Sequence, residues 1–514
     1  MRTTTSTFGK ERTKYSFYNA LSALCLMLVN GLLTIVVTKL VIAKFGSDFN
    51  GLNSTANQII NVLLVMEGGF TLASNVALFS PISHGDYVVA NSVISATKNK
   101  FKKIGVWFLL IGIVVSFVYS YLVNSSLSKE LAFFVILMAV FPQAVNLLYT
   151  STYRVILQTQ QKEYIINCFT ALTIGLGHLT NIIVILCNGQ MWMIRFVTMV
   201  YALLNCFIIS YYVKKKNKFI NFTISPRPEL IKGTTDVMVQ KVTGVIYNSW
   251  PIVFLSVLSN GGTLAASVYS VYNGIFILAK GLLRSVIDAP RFGFGQMLTE
   301  MNHEDIWRIF KRYEFIVVAF IFVSITTVYS LILPFVTIYT KDIIDINYKD
   351  LKIALLMSII GTIELLHIPS GHIINMSGNF KTSKNIQVVG CISLMVSMAI
   401  LGSLQGLYGM LYSLLIVSLL LAVLEIGFVH KYFFKNHIID FIKLFLPFLL
   451  SGIVVSYFEM RFIVAETYTE LIWKGFLLWG INILIALVIA FLSNKKEFQD
   501  MREYSFLLMK KRGL

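Results

Sequence analysis

"LLVMEGGFTLASNVALF", residues 63–79, places one carboxylate, Glu67, in an otherwise apolar run and follows it with Gly68 and Gly69. In a membrane helix a carboxylate at the bilayer centre costs about 2.5–3.5 kcal/mol on insertion scales. The two glycines are poor helix formers. Whether this is a span that keeps an expensive charge or a strained piece of soluble core depends on what surrounds it.

The surroundings are membrane-like throughout. Of 514 residues, 56% are hydrophobic and 13% charged, with a mean hydropathy of +0.74. A soluble chain carries about 25% charged residues. Apolar runs near the ~20 residues that cross a bilayer recur along the whole length, at roughly 17–41, 52–76, 103–124, 130–152, 165–188, 191–213, 236–258, 263–283, 314–339, 351–375, 386–404, 406–429, 441–460 and 468–492. This predicts an all-α membrane protein of about fourteen transmembrane helices. "CNGQ" (187–190) and "LQG" (404–406) read as tight turns between spans. Five cysteines, Cys25, Cys168, Cys187, Cys206 and Cys391, form no CxxC or Cys/His pattern, so neither a metal site nor a disulfide framework is expected. No small-residue cleavage signal follows the first apolar run, which reads as a retained span.

The formal charge of +18 is distributed by side. Lys10, Arg12 and Lys14 precede the first span. Alternate connections carry Lys98, Lys100, Lys102 and Lys103; Arg154 and Lys162; "KKKNK" at 214–218; Arg291, Arg308, Lys311 and Arg312; Lys381 and Lys384; and Lys431 and Lys435. Lys510, Lys511 and Arg512 end the chain. The opposite set holds Lys44, Lys129, Lys341, Lys349, Lys352, Arg461 and Lys474. Roughly thirty basic residues against about seven is a positive-inside bias that puts both termini in the cytoplasm. It also accounts for the net charge without a nucleic-acid partner.

"STANQI" (54–59) and "SVYNGI" (270–275) share Ser, Asn and Ile at the same spacing. Each opens the second helix of a six-helix block. The expected organisation is a lobe at 1–213, a basic cytoplasmic linker at 214–235, a second lobe at 236–432, and two further helices with a tail at 433–514. Parallel repeats of this kind place a substrate at their interface. The segment "HEDIWRIFKRYEF" (303–315) reads as an amphipathic surface helix.

With no GxxxxGK[ST], HExxH or GxSxG, direct nucleotide use and hydrolytic chemistry are not expected, and the intramembrane ionisable groups carry the functional reading. Glu67 is expected on a hydrated cavity, where Lys280 could meet it, against the plainer alternative of a carboxylate paired at a helix contact. Lys241, Lys280 and Arg284 cluster near the cytoplasmic ends of the seventh and eighth spans. They would suit a phosphate-bearing substrate, although Lys241 and Arg284 could equally snorkel. Asn57 and Asn273 are neutral candidates for sugar or pyrophosphate, or else interhelical glue. Arg195 and Lys39 lie near the outer boundary, where anchoring is the simpler role, with Arg195 kept as a candidate ligand. Glu364 and His367, three apart on one helix face, and His178 are candidates for a coupling proton, against the plainer alternative of a buried hydrogen-bonded pair. Glu425 reads as interfacial and structural. No metal site and no catalytic residues are expected.

At this point the chain resembles a known family. "GSDFNGLNSTANQIINVLLVMEGGF" (46–70) with "ALFSPISHGDYVVANSVISATKNKFKKIG" (77–105) is similar to the start of bacterial polysaccharide flippases, in which an acidic, glycine-bearing segment ends the second helix ahead of a P-x-x-x-x-D-Y loop. "STYRVILQTQQKEYI" (151–165) and "GNFKTSKNI" (378–386) resemble their later connections. The resemblance implies the Wzx-type lipid-linked oligosaccharide flippases (O-antigen transporters) of the multidrug/oligosaccharidyl-lipid/polysaccharide exporter superfamily. It implies two six-helix bundles facing a V-shaped cavity plus two C-terminal helices, with Glu67 on the acidic motif position; "EGGF" departs from the commoner "ELGIG". The implied activity is transfer of polyprenyl-diphosphate-linked oligosaccharide across the bacterial cytoplasmic membrane for O-antigen or capsule, with no cofactor, and with a polysaccharide polymerase and chain-length regulator as expected partners. With no nucleotide site, net transport would need a proton or sodium gradient or removal of product outside. The rivals are an ion-coupled multidrug exporter, which would favour acidic and aromatic residues, and a membrane polymerase or acyltransferase, which would show a catalytic loop or a His/Asp constellation.

Overall fold

The computed structural model describes residues 3–231 and 235–493, with side chains from Tyr15 onward apart from Ser16, residues 235–237, Phe292, Gln296 and Thr299. The basic tail Lys510, Lys511 and Arg512 and linker residues 232–234 lie outside the described residues. Every regular element described is helical. In chain order they are α1 (Thr3–Leu63), α2 (Phe70–His84), α3 (Tyr87–Leu122), α4 (Lys129–Val145), α5 (Ser151–Thr159), α6 (Glu163–Leu186), α7 (Met191–Lys216), α8 (Thr235–Leu258) and α9 (Gly262–Asp288). There follow α10 (Arg291–Glu300), α11 (His303–Tyr339), α12 (Leu351–Leu366), α13 (Ile368–Met376), α14 (Phe380–Ser397), α15 (Ser403–Gly427), α16 (Ile439–Phe462) and α17 (Tyr468–Ser493).

Twelve helical stretches among the described residues are long and apolar enough to cross a membrane. Two of them, Phe17–Glu67 and Phe380–Phe433, run to 51 and 54 residues. At 1.5 Å per residue each would reach about 76–81 Å, more than twice a ~30 Å hydrocarbon core. Each is divided by a glycine outside helical geometry, Gly46 (φ 86°) and Gly406 (φ 56°). A residue with a Cβ strains at such angles, so these glycines mark where the chain can turn between two spans. Gly406 falls in the expected "LQG" turn. The other expected turn, "CNGQ", is closed by Asn188 at φ 57° and by the Gly189 N–H donating to Val184 O.

The helix that carries the third span begins at Tyr87, ahead of the apolar run at 103–124, because Asp86 caps it by accepting from Val89 N at 3.1 Å. One sequence expectation is corrected. "HEDIWRIFKRYEF" is not a separate surface helix. It forms the first turns of the continuous α11, capped by Asn302 accepting from Asp305 N, and it buries Ile306, Phe310, Tyr313 and Glu314. The amphipathic period was real, but its apolar face is covered by protein rather than by a lipid surface.

The chain divides into two compact units, Met1–Ser267 and Val268–Leu514. In the first, α1 packs along α6 and α8, and Asn19 on α1 bonds both Gln161 O and Tyr164 N, fixing the turn into α6. Its core is aliphatic and aromatic, with Phe49, Leu52, Phe101, Phe108 and Ile156 fully buried. In the second, α11 packs against α12, α16 and α17. Large apolar side chains such as Phe207 and Trp473 stay exposed on the outside, the surface a lipid-solvated protein presents. Prolines lie inside α2, α4, α8, α11 and α16, as membrane helices tolerate. Among the described residues, π-turns interrupt helices at Asn146–Thr150 and Met398–Gly402, and a third, Phe428–Phe433, ends α15.

Candidate functional site

Glu67 ends a 3₁₀ turn, Leu64–Glu67, that tightens the end of α1. Gly68 and Gly69 then take left-handed geometry, φ 54° and 76°, and α2 starts from Gly69. The helix is broken at the carboxylate. Such a break leaves N–H groups of the next turn without partners, and Glu67 Oε1 accepts from Thr71 N at 3.3 Å and from the Thr71 hydroxyl. It also lies 3.7 Å from Lys241 Nζ on α8. The carboxylate is 16% exposed and Lys241 47%. Glu67 is thus kept because a broken membrane helix needs an acceptor and because α8 offers a cation. Neither reason needs Lys280.

Arg195 is 5% exposed and pinned to α1, with Nη1 donating to Asn57 Oδ1 at 3.0 Å and Nη2 to Asn53 O. The structure therefore brings two candidates together, as a brace between α1 and α7. His178 Nε2 on α6 lies 3.5 Å from the Thr34 hydroxyl on α1. Sequence reading passed over Asp48, just after Gly46. Its carboxylate accepts from Ser125 Oγ and Ser126 N at 2.7 Å, and from the hydroxyls of Ser126 and Thr263. It ties the α1 turn to the α3–α4 and α8–α9 connections. Gly262 (φ 52°) lets the backbone there meet Asn124 O, which a Cβ would strike. One acidic residue beside a turn glycine in "GSDFNG" was the available signal.

Most of the ion pairs among the described residues lie in the second unit. Lys280 Nζ on α9 reaches Glu364 Oε2 on α12 at 2.7 Å, both about one-fifth exposed. His367 forms the break between α12 and α13, where Pro369 cannot donate to Leu365 O. Its Nδ1 lies 2.8 Å from Glu425 Oε2 on α15, and Gln387 Nε2 donates to the other oxygen at 3.2 Å. Glu364 and His367 share a helix region as expected, yet each is engaged by a different neighbour. Glu425 is buried, and a Cβ on Gly371 would sit 3.0 Å from its carboxylate. Arg284 is an exposed i,i+4 partner of Asp288 at 3.7 Å. Asp288 also meets His372 Nε2 at 2.9 Å, and His372 Nδ1 lies 3.2 Å from Tyr313. His430 Nε2 and Glu314 Oε1, 3.0 Å apart, are almost wholly buried. Asn273 lies half-buried on α9.

Among the described residues this unit therefore holds three imidazole–carboxylate pairs and two ammonium–carboxylate pairs across helix contacts, the second being Lys311 on α11 with Asp440 on α16 at 3.9 Å. The sequence flagged one imidazole of the three. His372, His430 and Glu314 carry the signal that singled out Glu67, an ionisable group in an apolar run. Among the described residues no group of three or more His, Cys, Asp or Glu could hold a metal ion.

No protein-family profile matches the chain, and no curated protein does. Solved structures do. The lipid II flippase MurJ in an inward closed conformation is 17% identical, with a TM-score of 0.69 over 92% of this chain and 99% of that one. That is the fold of this chain. An inward-facing multidrug-resistance MATE transporter of the MOP superfamily is 14% identical, at TM-score 0.66 over 85% of this chain and 99% of that one. A MOP-superfamily transporter from Pyrococcus furiosus, described as having a binding pocket of reverse polarity, is 14% identical at TM-score 0.57, over 86% of this chain and 96% of that one.

Proposed function

We propose that this chain is a flippase that moves polyprenyl-diphosphate-linked oligosaccharide units from the inner to the outer leaflet of a bacterial cytoplasmic membrane, by alternating access, for O-antigen or capsule assembly. The observation that carries the reading is the fold shared with a lipid II flippase over nearly the full length of both chains. The intramembrane charges support it. A sugar–diphosphate headgroup cannot cross hydrocarbon alone, because burying its charge uncompensated costs many kcal/mol. Lys241, Lys280 and Arg284 each sit beside a carboxylate, Glu67, Glu364 and Asp288, within 4 Å. A phosphate can replace those carboxylates and later give the cation back, which allows both binding and release. Asn57 and Asn273 would meet sugar hydroxyls, and Arg195 would hold Asn57 in place. No covalent step is involved, so the chain is read as a transporter and not an enzyme.

Energy would come from a proton or sodium gradient, with Glu364, His367 and His178 as the groups that take up the ion. A polysaccharide polymerase and chain-length regulator would receive the product outside. The likeness to a multidrug-resistance transporter favours a second reading, an ion-coupled drug exporter. A strain lacking the gene separates them. Loss of surface polymer with complete lipid-linked units held on the cytoplasmic face supports the flippase. Normal surface glycan with altered sensitivity to cationic drugs would replace it with the exporter. Complete units that reach the outer face but stay unpolymerised would point to a polymerase.

A further inference from the structure

We propose that a basic pocket in the first unit, remote in sequence from Glu67 and Lys241, holds the phosphate headgroup of an anionic phospholipid from the leaflet on the lysine-rich side. The cavity has a volume of about 340 Å³ and lies where α3, α5 and α7 converge. Lys98 and Lys102 stand four apart on one face of α3, and Ser210 and Lys214 stand four apart on one face of α7. Between them, Thr152 and Tyr153 at the start of α5 form a buried floor.

Three ammonium groups converging on one cavity repel each other, and among the described residues none of the three pairs with a carboxylate. Aromatic faces compensate in part. Lys98 Nζ sits 3.9 Å from the Phe222 ring centroid and Lys214 Nζ 5.7 Å from that of Tyr153. The arrangement lacks an anion, and the floor hydroxyls supply donors suited to phosphate oxygens.

The backbone is shaped to build this pocket. The π-turn Asn146–Thr150 adds a residue to the helical turn and carries Leu148 and Tyr149 onto the cavity wall beside Thr152 and Tyr153. Such single-turn insertions are rare and occur often at functional sites. Thr150 ties the turn to α7, with its hydroxyl 3.2 Å from Ser210 Oγ and donating to Cys206 O at 3.3 Å.

A lipid, rather than free phosphate, is indicated by what lies on the same helix faces one turn deeper. Val106 follows Lys102 by four residues and Phe207 precedes Ser210 by three, and with Tyr149 both are exposed apolar surface. An acyl chain on that surface would leave its phosphate among the lysines. Basic pockets between membrane helices on the cytoplasmic side recognise anionic headgroups in this way. The inference does not depend on which molecule the protein transports.

Native mass spectrometry of the full-length protein, delipidated and offered phosphatidylglycerol or phosphatidylcholine, tests the site. The expected result is at least a tenfold preference for phosphatidylglycerol that K98A/K102A/K214A abolishes. K100A/K103A/K216A, which removes the same charge from the same helices outside the pocket, should keep it. Equal loss in both variants would make the preference diffuse surface electrostatics and overturn the site. Complete displacement of the lipid by millimolar glycerol 1-phosphate would overturn the lipid in favour of a soluble phosphate. Wild-type protein gives an answer without any variant: phosphatidylglycerol vesicles should shield Lys98, Lys102 and Lys214 from amine acylation more than Lys100, Lys103 and Lys216. Equal shielding refutes the pocket.

Discussion

His430 and Glu314 show how a single buried pair fixes register. Both lie in apolar surroundings, with Trp307, Phe310 and Phe441 around the imidazole, and each is the polar partner of the other. Removing one partner leaves the other group buried without compensation, which costs about 3–5 kcal/mol. We expect His430→Leu to lower the unfolding temperature in detergent sharply and Glu314→Gln, which keeps a hydrogen bond, to lower it much less. Similar losses in the two variants would mean that the pair contributes no specific coupling. Asp48 is the counterpart in the first unit. Asp48→Ala leaves three hydroxyls and one backbone N–H without their acceptor and should cost about 2–4 kcal/mol, whereas Asp48→Asn should recover part of it. At the same scale, Lys280→Ala and Glu67→Gln test the charge reading. Each should reduce transport at least tenfold while leaving the protein folded by circular dichroism, and wild-type transport in both would reduce these charges to structural pairs.

Glycines with positive φ set where helices end. Gly85 and Gly262 both take left-handed geometry, at 73° and 52°, but nothing lies within 4 Å of a Cβ at Gly85, whereas one at Gly262 meets the backbone of Asn124. Gly85→Ala should therefore cost only the left-handed penalty of about 1–2 kcal/mol. Gly262→Ala should cost clearly more, because backbone must move. Thermal unfolding of the two variants side by side reads the difference, and equal shifts would show that the connection between α8 and α9 yields. The Gly68–Gly69 break belongs to the same class of device. It stops α1 where Glu67 can serve the first turn of α2, so one short stretch both ends a helix and supplies the acceptor for the next.

For the whole molecule, the predicted quantity is transport. In sealed vesicles loaded with a diphosphate-linked sugar lipid, collapse of the proton gradient, or of the sodium gradient, should slow translocation severalfold. Glu364→Gln or His367→Ala should remove that dependence while leaving residual downhill movement. Translocation indifferent to both gradients would leave the three imidazole–carboxylate pairs as helix glue. Among the described residues twelve long helices answer to about fourteen expected spans, because two of them each carry a glycine division, while the expected span 52–76 is broken at Gly68 and Gly69. The sequence places these points within a few residues, since apolar length and glycine are local properties. The partition of α8 is different. The basic linker and the repeat put it at the start of the second block, while its packing against α1 groups it with the first unit.

Apolar run length, lysine bias and turn glycines are each written in a few consecutive residues, so the sequence alone determined a polytopic helical membrane protein, its span positions and the stretches that carry charge. Partners could not be read that way. Glu67 meets Lys241 and Lys280 meets Glu364, 174 and 84 positions away in the chain, and His367 turns from Glu364 to Glu425 because Pro369 breaks the helix between α12 and α13. A charge inside a membrane must find compensation, so its presence is legible from one residue. Which residue supplies the compensation is set by helix packing and rotation, which depend on side chains far apart in sequence, and only the tertiary structure decided it.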